Sequence, residues 1–270
     1  MVGLLIRSRF AGDTLTGHAR GGAALFLRNA YFHRSDLWIV VSGVAEPLVM
    51  LFALGFGMGQ LVGHVPYAGG SIAYPLYVAP ALLAMAAMTG ALTESTFNVF
   101  AKLKFFKLYD AVLATPVTPF GIALGEIGWA TLRSAINSAS FVVVMALMGL
   151  TPSLWAIAAF PAAVLIGLAF SAAGMACVTY MRSWQEFDYI SVTIFLLFLF
   201  SGTVAPLSAY PGWLQGVVTV TPLYHGVALV RALTTGVVTY GLLWHVAYLA
   251  GLSVLGFAVS GHRMRRLLMP

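Results

Sequence analysis

Long uncharged apolar runs dominate the chain, from Pro47 to Thr93, Ser134 to Met181 and Tyr189 to Val230. Each is too long for one crossing of roughly 20 residues, so each folds back on itself. Gly and Pro clusters mark the folds, because backbone groups freed there need water or protein partners. The pattern predicts spans over 38–59, 75–99, 120–148, 154–180, 190–206 and 240–261. The first two are separated by Gly63, Pro66, Gly69 and Gly70, and the third and fourth by the turn Gly149-Leu150-Thr151-Pro152-Ser153. The expected fold class is all-α, a polytopic membrane protein with six transmembrane helices. Residues 1–37 form a cytoplasmic or interfacial N-terminal segment, 38–261 the six-span domain, and 262–270 a basic cytoplasmic tail.

The basic residues set the orientation. Arg7, Arg9, Arg20, Arg28 and Arg34 precede the first span, Lys102, Lys104 and Lys107 follow the second, Arg182 follows the fourth, and Arg263, Arg265 and Arg266 lie near the end. The opposite side holds Arg231 alone, and Arg133 lies within a span. This asymmetry places the basic side, and both ends of the chain, in the cytoplasm. Arg7, Arg9, Asp13, His18 and Arg20 interrupt the first segment before a signal-peptide core forms, so the first span is expected to be retained as an anchor.

Composition agrees, with 60% of the 270 residues hydrophobic and 8% charged, against about 25% charged in a soluble domain. The net charge of +6 does not point to nucleic acid, since the basic residues alternate with apolar runs instead of forming a stripe. Cys177 is the single cysteine, which excludes an internal disulfide and a cysteine zinc cluster. No phosphate loop, His-Glu-x-x-His or Gly-x-Ser-x-Gly motif occurs. His64, His225 and His245 are isolated in sequence. Any ATP used must therefore be bound by another chain.

Four ionisable residues fall inside predicted spans: Glu46, Glu94, Glu126 and Arg133. An Asp, Lys or Arg at mid-membrane costs about 2.5–3.5 kcal/mol, so such groups should face protein or water. Glu126 and Arg133 share a helix face but lie roughly 10 Å apart along the axis, which favours pairing across helices. Depth along the spans makes Glu46 the expected partner of Arg133. Small residues recur at packing distance in Gly55-x-x-x-Gly59 and Gly121-x-x-x-Gly125.

Between the second and third spans, residues 101–113 read as an amphipathic helix. Lys104, Lys107 and Asp110 fall on one side, with Phe105, Leu108, Tyr109 and Val112 on the other. It either docks on a protein partner or lies at the lipid surface. The stretch 207–239 is long, nearly uncharged and rich in Pro and aromatics, including Tyr210, Trp213 and Tyr224. It reads either as one or two re-entrant helices or as an interfacial loop.

Two stretches resemble the type-2 ABC exporter permeases, in the branch of nodulation protein J and the daunorubicin-resistance permeases. One runs from Ala79-Pro80 through Thr93-Glu94-Ser95-Thr96-Phe97 and Lys102-Leu103-Lys104 to Tyr109-Asp110-Ala111-Val112-Leu113-Ala114-Thr115-Pro116 and Gly125-Glu126. The other is Pro222-Leu223-Tyr224-His225 followed by Leu229, Arg231 and Gly236. The resemblance implies a homodimer, or a pair with a paralogue, bound to two copies of a separate ATPase that holds ATP and magnesium. It implies a coupling helix carrying Lys104, Phe105, Phe106, Lys107, Tyr109 and Asp110, with a second contact from the Arg182–Asp188 loop, including Glu186. It also implies outer re-entrant helices bearing Tyr210, Trp213, Tyr224, His225 and Arg231. The expected function is export of a lipid-linked, glycolipid or hydrophobic drug-like substrate through the bilayer. The alternatives are a membrane-embedded lipid-modifying enzyme using Glu94, Glu126 or His225, and an assembly subunit without transport.

Overall fold

A computed structural model describes residues 15–33 and 45–268. In chain order, helix α1 covers Leu15–Phe32 and α2 Ala45–Val62, followed by a hairpin of β1 (His64–Tyr67) and β2 (Gly70–Ala73). Then come α3 (Tyr74–Phe105), α4 (Leu108–Leu113), α5 (Pro119–Leu147) and α6 (Leu154–Val178). The last four are α7 (Phe187–Leu199), α8 (Gly212–Val220), α9 (Pro222–Thr235) and α10 (Leu242–Leu268).

Local chemistry places the breaks. Pro75, Pro119 and Pro222 sit at the first or second position of α3, α5 and α9, where a missing N–H costs nothing and the fixed φ suits the helix. The Thr118 hydroxyl accepts from Gly121 N at 3.1 Å and caps α5. At the other end Gly149 takes φ 70°, and Leu150 N donates to Met145 O at 2.9 Å, closing the helix with its last carbonyls satisfied. Where a loop was expected between the first two spans, Ala68 (φ 51°) and Gly69 (φ 79°) form a two-residue turn, and His64 pairs with Ala73. Positive φ at both turn positions matches strand twist, which is why the segment closes as a hairpin.

Helices α2, α3, α5, α6 and α10 are long and apolar enough to cross a membrane. The span predicted over 190–206 is not matched by a helix long enough to cross alone, because α7 has only 13 residues. Its start stacks on α3, with the Phe187 and Phe97 rings 4.1 Å apart. Beyond its end, Gly202 O accepts from Tyr77 Oη at 3.0 Å. Tyr77 and Phe97 lie about 30 Å apart along α3, so α7 and the irregular 200–202 stretch together traverse the same depth. The chain then turns back: α8 and α9 meet at 84° across Thr221. Leu223, Val227, Val230 and Leu233 of α9 are buried against the bundle, so this segment packs as a bent helix pair and not as an open loop.

α3 is the central helix, with α2, α5, α6 and α9 around it. One apolar cluster fills the outer half, including Leu82, Leu83, Ile166, Phe170 and Val227. A second fills the inner half, including Phe100, Ile122, Ile127, Met175 and Met264. Glycine permits the closest approaches. A Cβ on Gly256 of α10 would meet the Ala172 carbonyl carbon at 2.6 Å, and one on Gly125 of α5 would meet Gly22 O of α1 at 2.7 Å.

Several boundaries differ from the hydropathy reading. Residues 38–44 of the first predicted span lie outside the described residues, as do 1–14, 34–37 and 269–270. α10 continues unbroken to Leu268, so 262–268 are helical.

Candidate coupling face, charged interior and outer cavity

The interior charges form a two-rung ladder between α3 and α5. On the upper rung Arg133 Nη1 donates to Glu94 Oε2, which also accepts from Asn98 Nδ2 at 2.7 Å, while Trp129 Nε1 donates to Glu94 Oε1 at 2.9 Å. On the lower rung Lys102 Nζ donates to Glu126 Oε2 at 2.7 Å, and Asn29 Nδ2 of α1 joins the same oxygen at 3.0 Å. Arg28 Nη2 stands 3.6 Å from Glu126 Oε1. The rungs are eight residues apart on α3 and seven apart on α5. Helix α3 takes π geometry over Glu94–Asn98 and again over Ala101–Phe105, and the wider turns absorb the extra residue and keep both rungs in register.

The expected Glu46–Arg133 pair is not formed. Glu46 is exposed near the start of α2, and Arg133 closes on Glu94 instead. Both residues were at suitable depth, but depth says nothing about which helices are neighbours, and α5 packs on α3. Glu94, Glu126 and His225 do not converge either. Glu94 lies about 25 Å along α3 from Tyr77, the outer residue bonded to Arg231.

The helix expected over 101–113 is broken. α3 ends at Phe105, Lys107 adopts a left-handed conformation (φ 47°), and α4 starts afresh at Leu108. The break sends Tyr109 inward, where it is buried, while Phe105 and Phe106 remain 64% and 75% exposed beside exposed Lys104, Lys107 and Asp110. Burial and the neighbouring Glu126 carboxylate hold the Tyr109 phenol well above its usual range.

The loop after α6 is part of the same face. Glu186 organises it by accepting from Arg182 N at 3.1 Å, and Trp184 is thereby set against Phe105, centroids 5.9 Å apart. Phe187 lies 5.0 Å from Trp184 and packs edge-on to Phe100. Trp184, Asn98, Trp129 and Asn29 were not singled out in sequence. Asn98 has the clearest signal, one helical turn from Glu94; nothing short of the fold brings Asn29 to Glu126.

The opposite end has a cavity of about 430 Å³ beside the hairpin and α9, lined by Tyr67, Tyr77, Tyr224, Arg231 and His245 among others. Arg231 Nε donates to Tyr77 O at 3.0 Å and Nη2 to Gly202 O at 2.8 Å, while the guanidinium lies 3.7 Å over the Tyr77 ring. Behind the wall His225 Nδ1 and His245 Nδ1 are 2.7 Å apart, and Tyr248 stacks on His225. Tyr210 Oη donates to Leu199 O at 2.8 Å, and Trp213 is exposed, so these two stand apart from the cavity.

The arrangement defines a non-catalytic, multi-pass membrane subunit of the permease class, with five helices long and apolar enough to cross, a sharply bent helix pair and a basic aromatic inner face. Residues 25–234 match the family model described as ABC-2 type transporter, and the chain belongs to that family. It is 31% identical to nodulation protein J of Rhizobium meliloti (strain 1021) over 86% of this chain and 87% of that protein. Nodulation protein J of Rhizobium leguminosarum bv. trifolii is 31% identical over 96% and 99% of the two chains. A probable doxorubicin resistance ABC transporter permease protein of Mycobacterium tuberculosis (strain CDC 1551 / Oshkosh) is 26% identical over 74% and 72%.

Proposed function

We propose that this chain is the membrane-spanning half of an exporter that moves a lipid-linked, glycolipid or other amphipathic substrate outward, driven by two copies of a separate ATPase holding ATP and magnesium. The observation that carries the reading is the exposure of Phe105 and Phe106, 64% and 75%, at the end of a rigid membrane helix. Large aromatics left in water beside lysines are suited to anchor in a partner's cleft. The inner loop with Arg182, Trp184 and Glu186 supplies a second contact on the same face. Closure of the ATPase pair on ATP would push this face and tilt α3, whose charged rungs carry the displacement to α5.

A second permease copy, or a paralogue, completes the route. Tyr189, Val192, Phe195 and Leu196 of α7 are exposed, as are Phe52 and Phe56 of α2, a surface suited to lipid or to another apolar chain. Helix α1 acts as a cytoplasmic or interfacial segment, with Leu27, Tyr31 and Phe32 exposed for contact with lipid.

The test is affinity purification of the tagged protein from mild detergent, with the co-purifying chains identified and counted. A phosphate-loop ATPase at one copy per permease is expected. Recovery without an ATPase from fresh membranes in several detergents would overturn the reading.

A further inference from the structure

We infer that the outer cavity around Arg231 is a binding site for an oxyanion headgroup, a phosphate or carboxylate carried by an amphipathic molecule. A guanidinium keeps its charge under all ordinary conditions, and that of Arg231 is 6% exposed. It forms no ion pair among the described residues. The described acids Glu46, Glu94, Asp110, Glu126, Glu186 and Asp188 all lie toward the inner end, away from it. A buried charge without a counter-ion is costly, and two carbonyls and a ring face offset only part of that cost.

The remaining donors point to the missing partner. Nε and Nη2 are held by Tyr77 O and Gly202 O, which fixes the guanidinium plane, whereas Nη1 donates to no atom among the described residues, and Arg231 lines the cavity. A fixed, charged, partly free fork at the edge of a space of about 430 Å³ is the geometry that recognises a phosphate or carboxylate. Tyr67, Tyr224 and His245 on the walls offer ring faces and polar tips to whatever the anion is attached to. The inference deepens the export reading by placing a ligand on the outward route. Binding to the chain is measured without the ATPase, so either reading can fail while the other stands.

The experiment is binding of radiolabelled decyl phosphate to the full chain in neutral maltoside micelles, with unlabelled decyl phosphate, inorganic phosphate and decanol as competitors. Saturable binding that decanol does not displace is expected, weakened at least about tenfold by Arg231→Gln. Displacement by inorganic phosphate identifies a free anion as sufficient; failure to displace identifies an amphipath's headgroup, and both support the site. Arg231 also ties α9 to α3, so a second variant, Ala228→Phe, fills the cavity and leaves those ties in place. Loss of binding in folded Ala228→Phe supports the inference even where Arg231→Gln does not fold. Absent binding in the wild type, equal displacement by decanol, or unchanged binding in both variants would overturn it.

Discussion

Arg133 of α5 closes on Glu94 of α3, joining two spans inside the membrane at the level where α3 changes to π geometry. Glu94 is 2% exposed, and both its oxygens accept, Oε2 from Arg133 and Asn98 and Oε1 from Trp129. The carboxylate is thus the hub of its rung, and the cation is one of three donors.

Removing the cation alone should be the more damaging change. Arg133→Met leaves a buried carboxylate with two neutral donors and should cost about 3 kcal/mol in unfolding free energy. The double variant Glu94→Gln with Arg133→Met removes both charges and should recover more than half of that loss. Thermal or denaturant unfolding in detergent, read as a double-mutant cycle, checks it; additive losses would mean that the two residues do not interact.

The spans were legible because insertion demands long uncharged runs, and nothing but helix satisfies the backbone there. The interior pairing was less so. Hydropathy orders residues by depth but not by neighbour, which is why Glu46 was assigned to Arg133 and Glu94 was not. The break at Phe106–Lys107 was hidden because Lys104, Lys107 and Asp110 keep helical spacing across it, and a left-handed lysine has no sequence signature. The hairpin turn at Ala68-Gly69 lacked the Asn-Gly or Asp-Gly pair that usually announces one. Arg231 stood out by charge alone, as the single cation of its side; its cavity is made by residues from five separate segments.

Close helix packing predicts a sharp contrast between two glycines on α10. A side chain at Gly256 would overlap Ala172, while Gly251 has nothing within 4 Å of where its Cβ would be. Gly256→Ala should therefore destabilise the protein by about 1–3 kcal/mol. Gly251→Ala should be neutral or slightly stabilising, by up to about 1 kcal/mol, as helix propensity dictates. Melting temperatures of the two purified variants in the same detergent decide it, and equal shifts would contradict the α6–α10 contact.

On the proposed coupling face, the aromatic and basic residues should separate in function. Phe105 is fixed by Trp184 and continuous with α3, so under the proposed function a push on it would reach the Glu94 and Lys102 rungs. Lys104 is exposed and holds no described partner in an ion pair, and exposed charges of this kind contribute at most about 1 kcal/mol. Lys104→Glu should then reduce transport less than about fivefold. Phe105→Ala with Phe106→Ala should abolish transport while leaving the permease folded and the ATPase active, because the contact that carries force is gone. Trp184→Ala should fall between them, since it loosens Phe105 without removing it. ATP hydrolysis and transport measured together in proteoliposomes distinguish the cases: loss of transport with hydrolysis retained marks uncoupling. A Lys104→Glu defect larger than that of the double phenylalanine variant would assign the force-bearing contact to charge instead.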